Sequence, residues 1–211
     1  KIQNLLKNYN KNYQKRNSHT YKMLNKYNLL DQLIAYLRNK ELLKNDRIKG
    51  KKIIDFGCGS NFQDIEKRYK ESQQVVLIDR WGENFSKKNI KFINYKDNLE
   101  NIDYELKEEK FDIIILAAVI EHLDQPENVI KHMKKFLNND GYFLLTAPSV
   151  HSQWLIEFLA YKLGVINADL VREHKRYYNK KEYEILSEKS GCDLVQFYFF
   201  ELGMNTAAIL K

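Results

Sequence analysis

Two glycines one residue apart, Gly57 and Gly59, follow the short apolar run Ile53-Ile54-Asp55-Phe56. Glycine at both positions permits a sharp turn and lets a ligand come close to the backbone. About 20 residues further on, Asp79 closes a second apolar run, Val75 to Ile78, where a carboxylate can accept both hydroxyls of a ribose. Each feature alone has an ordinary explanation, a packing glycine in one case and a solvated strand end in the other. Together they point to an adenosine-type cofactor. What the turn lacks narrows the choice. A dinucleotide site needs a third small residue so that the helix can present its N-terminus to the pyrophosphate, and that position holds Phe62. No Gly-Lys-Ser/Thr follows, so a triphosphate cradle is excluded as well. A ribose-bearing cofactor without a pyrophosphate fits best.

Other residues with chemical potential lie later in the chain. Glu121 and His122 follow the aliphatic run Phe111 to Ala117. His122 is a candidate general base, and the alternative is that the pair orients the loop or meets a charged end of the cofactor. His174 sits in Glu173-His174-Lys175-Arg176-Tyr177-Tyr178, as a base, an acceptor contact or a hydrogen-bonding loop anchor. Arg172, Lys175 and Arg176 could hold a phosphate or carboxylate, although a run of charge is usually a solvated face. His19, His132 and His151 show no metal-ligand spacing, and no metal is expected. Cys58 and Cys192 are too few for a disulfide framework and read as packing residues.

The elements that must position these residues change character along the chain. Residues 1–48 read as a helical cap, with Leu29, Leu30, Leu33, Ile34 and Leu37 on one face and Ser18 or Thr20 as a cap. From 49 onward short apolar strands alternate with helices: Lys52 to Phe56, helix Asn61 to Lys70, Val75 to Ile78, Ile90 to Ile93, Phe111 to Ala117, and helix Pro126 to Leu137 with Asp124 as N-cap. Asn139-Asp140-Gly141 reads as a turn into the strand Tyr142 to Ala147, which Pro148 closes. Helix then dominates through Gly164, and another helix spans Lys180 to Ser190. Leu194 to Phe200 and Thr206 to Leu210 form an antiparallel hairpin around Gly203-Met204-Asn205. This alternation predicts an α/β fold with a mostly parallel sheet and helices on both faces.

The chain resembles the class I S-adenosylmethionine-dependent methyltransferases, in the small-molecule and ubiquinone/menaquinone-like branch. The residues that carry the resemblance are Asp55-x-Gly57-x-Gly59 with Asp79, then Phe111-Asp112-Ile113-Ile114 leading to Glu121-His122-Leu123, Leu137, Gly141 and Pro148, over about Lys51 to Gly191. The resemblance implies a Rossmann-like seven-stranded sheet with an antiparallel C-terminal hairpin. It also implies S-adenosyl-L-methionine as cofactor. Asp55 and the Gly57-Cys58-Gly59 backbone would then hold the amino-acid end, Asp79 with Arg80 beside it the ribose, and Asp97 or Asn98 the adenine edge. The alternative is that Tyr95 or Trp81 covers the ring. Leu116 and Ala117 would supply backbone and wall. The segment 149–178 is expected to cover the acceptor, with Trp154, Leu155, Phe158, Leu159 and Leu163 on one helical face. The expected acceptor contacts are Glu121, Trp154, Arg176 and Tyr177. A membrane-surface helix or a dimer contact is the other reading of that segment.

Composition sets the remaining bounds. The 211 residues carry a formal net charge of +7, from lysines dispersed among acidic residues rather than gathered in a stripe, so a nucleic-acid partner is not expected. The motif place after the fourth strand holds Ala117-Ala118-Val119-Ile120, not the Asn/Asp-Pro-Pro-aromatic pattern of base-amino methylation. No apolar run approaches the roughly 20 residues of a membrane span. The expectation is a cytoplasmic monomer or homodimer that methylates a hydroxyl, amine or phosphate-bearing small molecule or a surface-glycan sugar. Alternatives are a basic nucleic-acid-binding methyltransferase, a nucleotide-dependent oxidoreductase and a non-catalytic methyltransferase-like binding protein.

Overall fold

A computed structural model describes residues 29–42, 45–59, 65 and 67–211. Ser18, Thr20, Phe62 and half of the helix expected at Asn61 to Lys70 lie outside the described residues. Helix α1 (Leu29–Leu42) and a short α2 (Asn45–Ile48) lead into β1 (Lys52–Phe56) and β2 (Gln74–Asp79). Next come β3 (Phe85–Lys87), β4 (Ile90–Asn94), α3 (Glu100–Leu106) and β5 (Phe111–Ala117). Then follow α4 (Pro126–Met133), β6 (Leu137–Pro148), α5 (Gln153–Tyr161) and α6 (Ala168–Arg172). The chain closes with α7 (Lys180–Ser190), β7 (Leu194–Phe200) and β8 (Asn205–Leu210).

All strands join one eight-stranded sheet in the order β3-β4-β2-β1-β5-β6-β8-β7. The seven expected strands are present, and the three-residue β3 adds an eighth, antiparallel to β4. So short a strand, ending in Ser86 and Lys87, carries too little hydrophobic pattern to be read from sequence. β1 pairs in parallel with β2 on one side and β5 on the other, so the order reverses there. Clefts for ligands open at the carboxyl ends of strands at such a reversal. The terminal hairpin is antiparallel, β8 lying between β6 and β7.

The sheet is buried on both faces, as the near-continuous aliphatic strands require. Ile54, Phe56, Ile114 and Leu116 pack with residues of α3, α4 and α7, while Ile53, Ile113 and Ile115 pack on the opposite face with Leu42, Ile48 and Tyr69. Burying each such side chain contributes about 1.5–3 kcal/mol before entropy is counted.

Local differences from the sequence expectation have identifiable causes. Gln125, not Asp124, precedes α4, and no side chain caps it. Asp124 is instead engaged by Lys175, and its carbonyl accepts from Arg176 at 2.9 Å. The helix ends at Met133 and tightens into a 3-10 turn at Lys134–Phe136. Asn139-Asp140-Gly141 is part of a β6 longer than expected, with a register shift against β5 between Phe111 and Ile113. A Cβ on Gly141 would lie 2.9 Å from the Phe111 carbonyl, so glycine allows that close approach of two strands. The hairpin turn is a 3-10 segment at Glu201–Gly203 containing two non-glycine residues with positive φ, Glu201 and Leu202.

Candidate functional site

The turn after β1 is built by hydrogen bonds to the neighbouring strand. The Gly57 amide donates to the Ile78 carbonyl at 2.7 Å, and the Gly59 amide donates to Asp79 Oδ2 at 3.0 Å. The Trp81 amide donates to the other carboxylate oxygen at 3.1 Å. Burial raises the Asp79 carboxyl above its ordinary value, opposed by the amides of Trp81, Gly59 and Arg80 and by the Arg80 charge. An ionised carboxylate has lone pairs left after these bonds and can still accept from a hydroxyl.

Gly57 has φ +74°, and an added Cβ would come 2.4 Å from Cγ2 of Val119. The loop after β5 therefore presses on the glycine turn. Its course is set by Ala118, at φ 55°, whose amide donates to the Thr146 carbonyl at 3.0 Å. That bend brings Val119, Glu121 and His122 to the same edge of the sheet as Gly57 and Asp79.

One cavity of about 480 Å³ opens there. It is lined by Phe56, Gly57, Gly59, Asp79, Arg80, Trp81 and Tyr95 from β1, β2 and β4 and the turns after them, and by Ala118, Val119, Glu121, His122 and His174. The roof is apolar: Leu30 and Ile34 of α1, Ile156 and Leu159 of α5, and Ile166, which cluster together. The expected cap helix and insert thus both face this cavity, although Leu33 and Leu37 of the same cap helix are exposed.

Glu121 is buried, and desolvation pushes its carboxyl up to about 7 against the lowering effect of its own backbone amide and Arg38. His122 and His174 meet edge to face with ring centroids 4.9 Å apart. Burial lowers the affinity of both for a proton; for His174, also repelled by His122, the pKa falls to about 4. Both rings are therefore neutral near pH 7. The Glu121 carbonyl accepts from the Lys175 amide at 2.8 Å, which ties the insert to the loop after β5. The Tyr178 hydroxyl strengthens the tie by donating to the Ile120 carbonyl at 3.2 Å.

Several expected site residues stand elsewhere. Asp55 is buried behind the turn, outside the described cavity lining, where it accepts from the Tyr69 hydroxyl at 2.7 Å and lies 4.0 Å from Arg68. Its alternation along β1 turns it to the face opposite Phe56. Cys58 packs on that same face. Leu116 is core and Ala117 packs on the opposite face, so the wall is made by Ala118 and Val119. Neither Asp97 nor Asn98 lines the cavity. Asn98 accepts from the Glu100 amide at 3.0 Å ahead of α3, and Asp97 interacts with the Tyr95 hydroxyl. Tyr95 and Trp81 are the residues in place to cover a ring.

Trp154 is 70% exposed and outside the cavity; Ile156 and Leu159 of the same helix point in. Arg176 and Tyr177 line a second cavity of about 390 Å³ that shares His174 and Val171 with the first. Arg38 was not legible as a site residue. It lines the main cavity, and its Nε is buried without a hydrogen-bond partner. Its only signal in the sequence was an arginine following the apolar stripe of α1.

Comparison with known proteins agrees with this geometry. The methyltransferase-domain family model matches residues 25–197. The chain is 27% identical over 148 residues to the ubiquinone biosynthesis O-methyltransferase of Glaesserella parasuis, covering 65% of this chain and 58% of that protein. It spans about half the length of the curated relatives it matches. In fold it is similar to the SAH-bound methyltransferase of calicheamicin biosynthesis, with TM-score 0.58 at 13% identity over 86% of this chain and 54% of that one. An S-adenosylmethionine-dependent methyltransferase from Archaeoglobus fulgidus aligns with TM-score 0.55 at 16% identity, over 86% of this chain and 93% of that one. The chain belongs to the methyltransferase-domain family, and it shares its fold with S-adenosylmethionine-dependent methyltransferases. No described helix is long and apolar enough to cross a membrane.

Proposed function

We propose that this protein transfers the methyl group of S-adenosylmethionine to an oxygen of a small-molecule acceptor. The observation that carries the reading is one cavity lined both by the Gly57-Gly59-Asp79 turn and by Glu121, His122 and His174. The residues fit the donor. Asp79 keeps acceptor capacity for a ribose, Trp81 and Tyr95 offer ring faces, and the unpaired Arg38 Nε suits a carboxylate.

S-adenosylmethionine supplies a methyl group on a positively charged sulfur that is already a good leaving group. What remains for the protein is alignment and exclusion of water. The apolar roof from α1 and the 149–178 insert excludes water. We assign the insert as the acceptor lid and α1 as the part of the N-terminal cap that completes the site. His122 and His174, both neutral, face the acceptor end and can take up a hydroxyl proton. The curated relatives are O-methyltransferases of ubiquinone biosynthesis, which favours oxygen over nitrogen. No described lining residue selects a glycan sugar over other hydroxyl acceptors, so the reading stays with small molecules.

Titration calorimetry with S-adenosylmethionine and with its demethylated product tests the donor. Binding of both is expected, and absence of both would overturn the reading. A screen with methyl-labelled donor against hydroxyl-bearing metabolites then identifies the acceptor.

A further inference from the structure

Three side chains at the acceptor end have capacity that methyl-donor binding leaves unused. Glu121, His122 and His174 each offer one ligand-type atom, and these atoms lie within 4.8 Å of one another. Glu121 is 1% exposed, yet its Oε2 has no hydrogen-bond partner. The Nδ1 atoms of His122 and His174 are likewise buried without partners. The other ring nitrogen of His122 meets the Glu173 carbonyl. A hydrogen bond there fixes the tautomer and leaves Nδ1 with a free lone pair, the arrangement that orients metal-ligating histidines. A buried carboxylate oxygen with no donor is unfavourable unless a proton or a cation meets it.

We infer that Glu121, His122 and His174 form a three-ligand site for a divalent first-row transition cation, with its open positions turned toward the acceptor cavity. One carboxylate oxygen with two imidazole nitrogens suits zinc, iron, cobalt or manganese better than calcium, which takes oxygen ligands. Bonds of about 2.0–2.2 Å to each ligand span at most about 4.4 Å across the ion. The three side chains therefore need only small rotations to close on it. The site escaped the sequence because its third ligand comes from the insert, beyond any local spacing rule. Other charges lining the same cavity are Arg38, Arg80, Asp79 and Glu173.

The ion's role rests on the reading of this cavity as an acceptor site. Three protein ligands leave room for the acceptor's hydroxyl oxygen, as catalytic rather than structural sites do. The cation favours the oxyanion, the hydroxyl proton passes to water, and the oxygen lone pair forms the new C–O bond as the C–S bond breaks. The histidines then act as ligands, and no side-chain base is required.

The test is calorimetric titration of the full chain with Zn²⁺, Mn²⁺ and Co²⁺, without methyl donor, with Co²⁺ visible absorption as a second readout. One ion per chain is expected. E121Q and H174A should each weaken uptake about tenfold or more, and the exposed-residue control H151A should not change it. Failure of all three ions to bind, or binding undiminished in both E121Q and H174A, would overturn the site. S-adenosylmethionine affinity is measured on the same samples and checks that each variant is folded. Donor binding without ion uptake rejects the metal site alone, and ion uptake without donor binding rejects the methyl-donor reading alone.

Discussion

The amide of Gly59 donates to a carboxylate oxygen of Asp79 at 3.0 Å across 20 residues of chain. This bond gives Asp79 two tasks. It shapes the glycine turn on β1 from the end of β2, and in the proposed donor site it would also accept from a ribose in the same cavity. Asp79→Asn keeps the size and removes the charge. We expect S-adenosylmethionine affinity to fall at least about tenfold, equivalent to about 1.4 kcal/mol. Urea denaturation should also show a loss of about 1–3 kcal/mol, because the backbone amides that donate to Asp79 lose a charged acceptor. Unchanged affinity by calorimetry would remove Asp79 from the donor site.

The same carboxyl predicts a pH dependence. Burial raises its pKa above the ordinary 3.8. Cofactor affinity should be full when the group is ionised and should fall as pH drops through that raised value. Asp79→Asn should flatten this decline. A decline of equal slope in the variant would assign it to another group.

Gly57 and Val119 form a second long-range pair. Any side chain at 57 meets positive φ and a Val119 methyl at 2.4 Å. Gly57→Ala should destabilise the protein by about 1–3 kcal/mol through overpacking and backbone strain. Adding Val119→Ala should recover part of that loss in a double-mutant cycle, because it removes the clash but not the strain. Simple additivity of the two losses would show that the contact is not the cause.

Arg38 predicts a split between binding and stability. Its Nε makes no hydrogen bond and its charge acts on Glu121 through space, so Arg38→Ala should lower the melting temperature only slightly. Donor affinity should drop about tenfold, and Arg38→Lys should restore little of it, because lysine lacks the planar fork that matches a carboxylate. A large drop in melting temperature with unchanged affinity would make Arg38 structural instead.

Tyr69 holds Asp55, the first acidic residue of the glycine motif, at 2.7 Å. Tyr69→Phe leaves that buried carboxyl without its hydroxyl donor. A loss of about 1–3 kcal/mol in urea denaturation is expected, with donor affinity nearly kept. A loss of affinity without loss of stability would return Asp55 to direct cofactor contact.

The glycine turn and the place of Asp79 beside it were legible in the sequence because local geometry dictates them. A strand followed by two glycines can only turn sharply, and an acidic residue ending the next parallel strand must come out beside that turn. Periodicity placed Lys52–Phe56, Phe111–Ala117, Lys180–Ser190 and Leu194–Phe200 at their observed bounds, since aliphatic strands and a helix with an Asn179 cap and a closing Gly191 carry strong local signals. The order of strands, the short β3 and the direction of each side chain were not legible in the same way. Asp55 faces away from the cavity and Trp154 faces outward, because alternation along a strand and packing of a helix against α1 decide orientation after the elements assemble. Only tertiary structure brought Arg38 from the cap and His174 from the insert to Glu121 and His122. Their meeting depends on burial and long-range backbone bonds such as Lys175 to Glu121, which no spacing in the chain encodes.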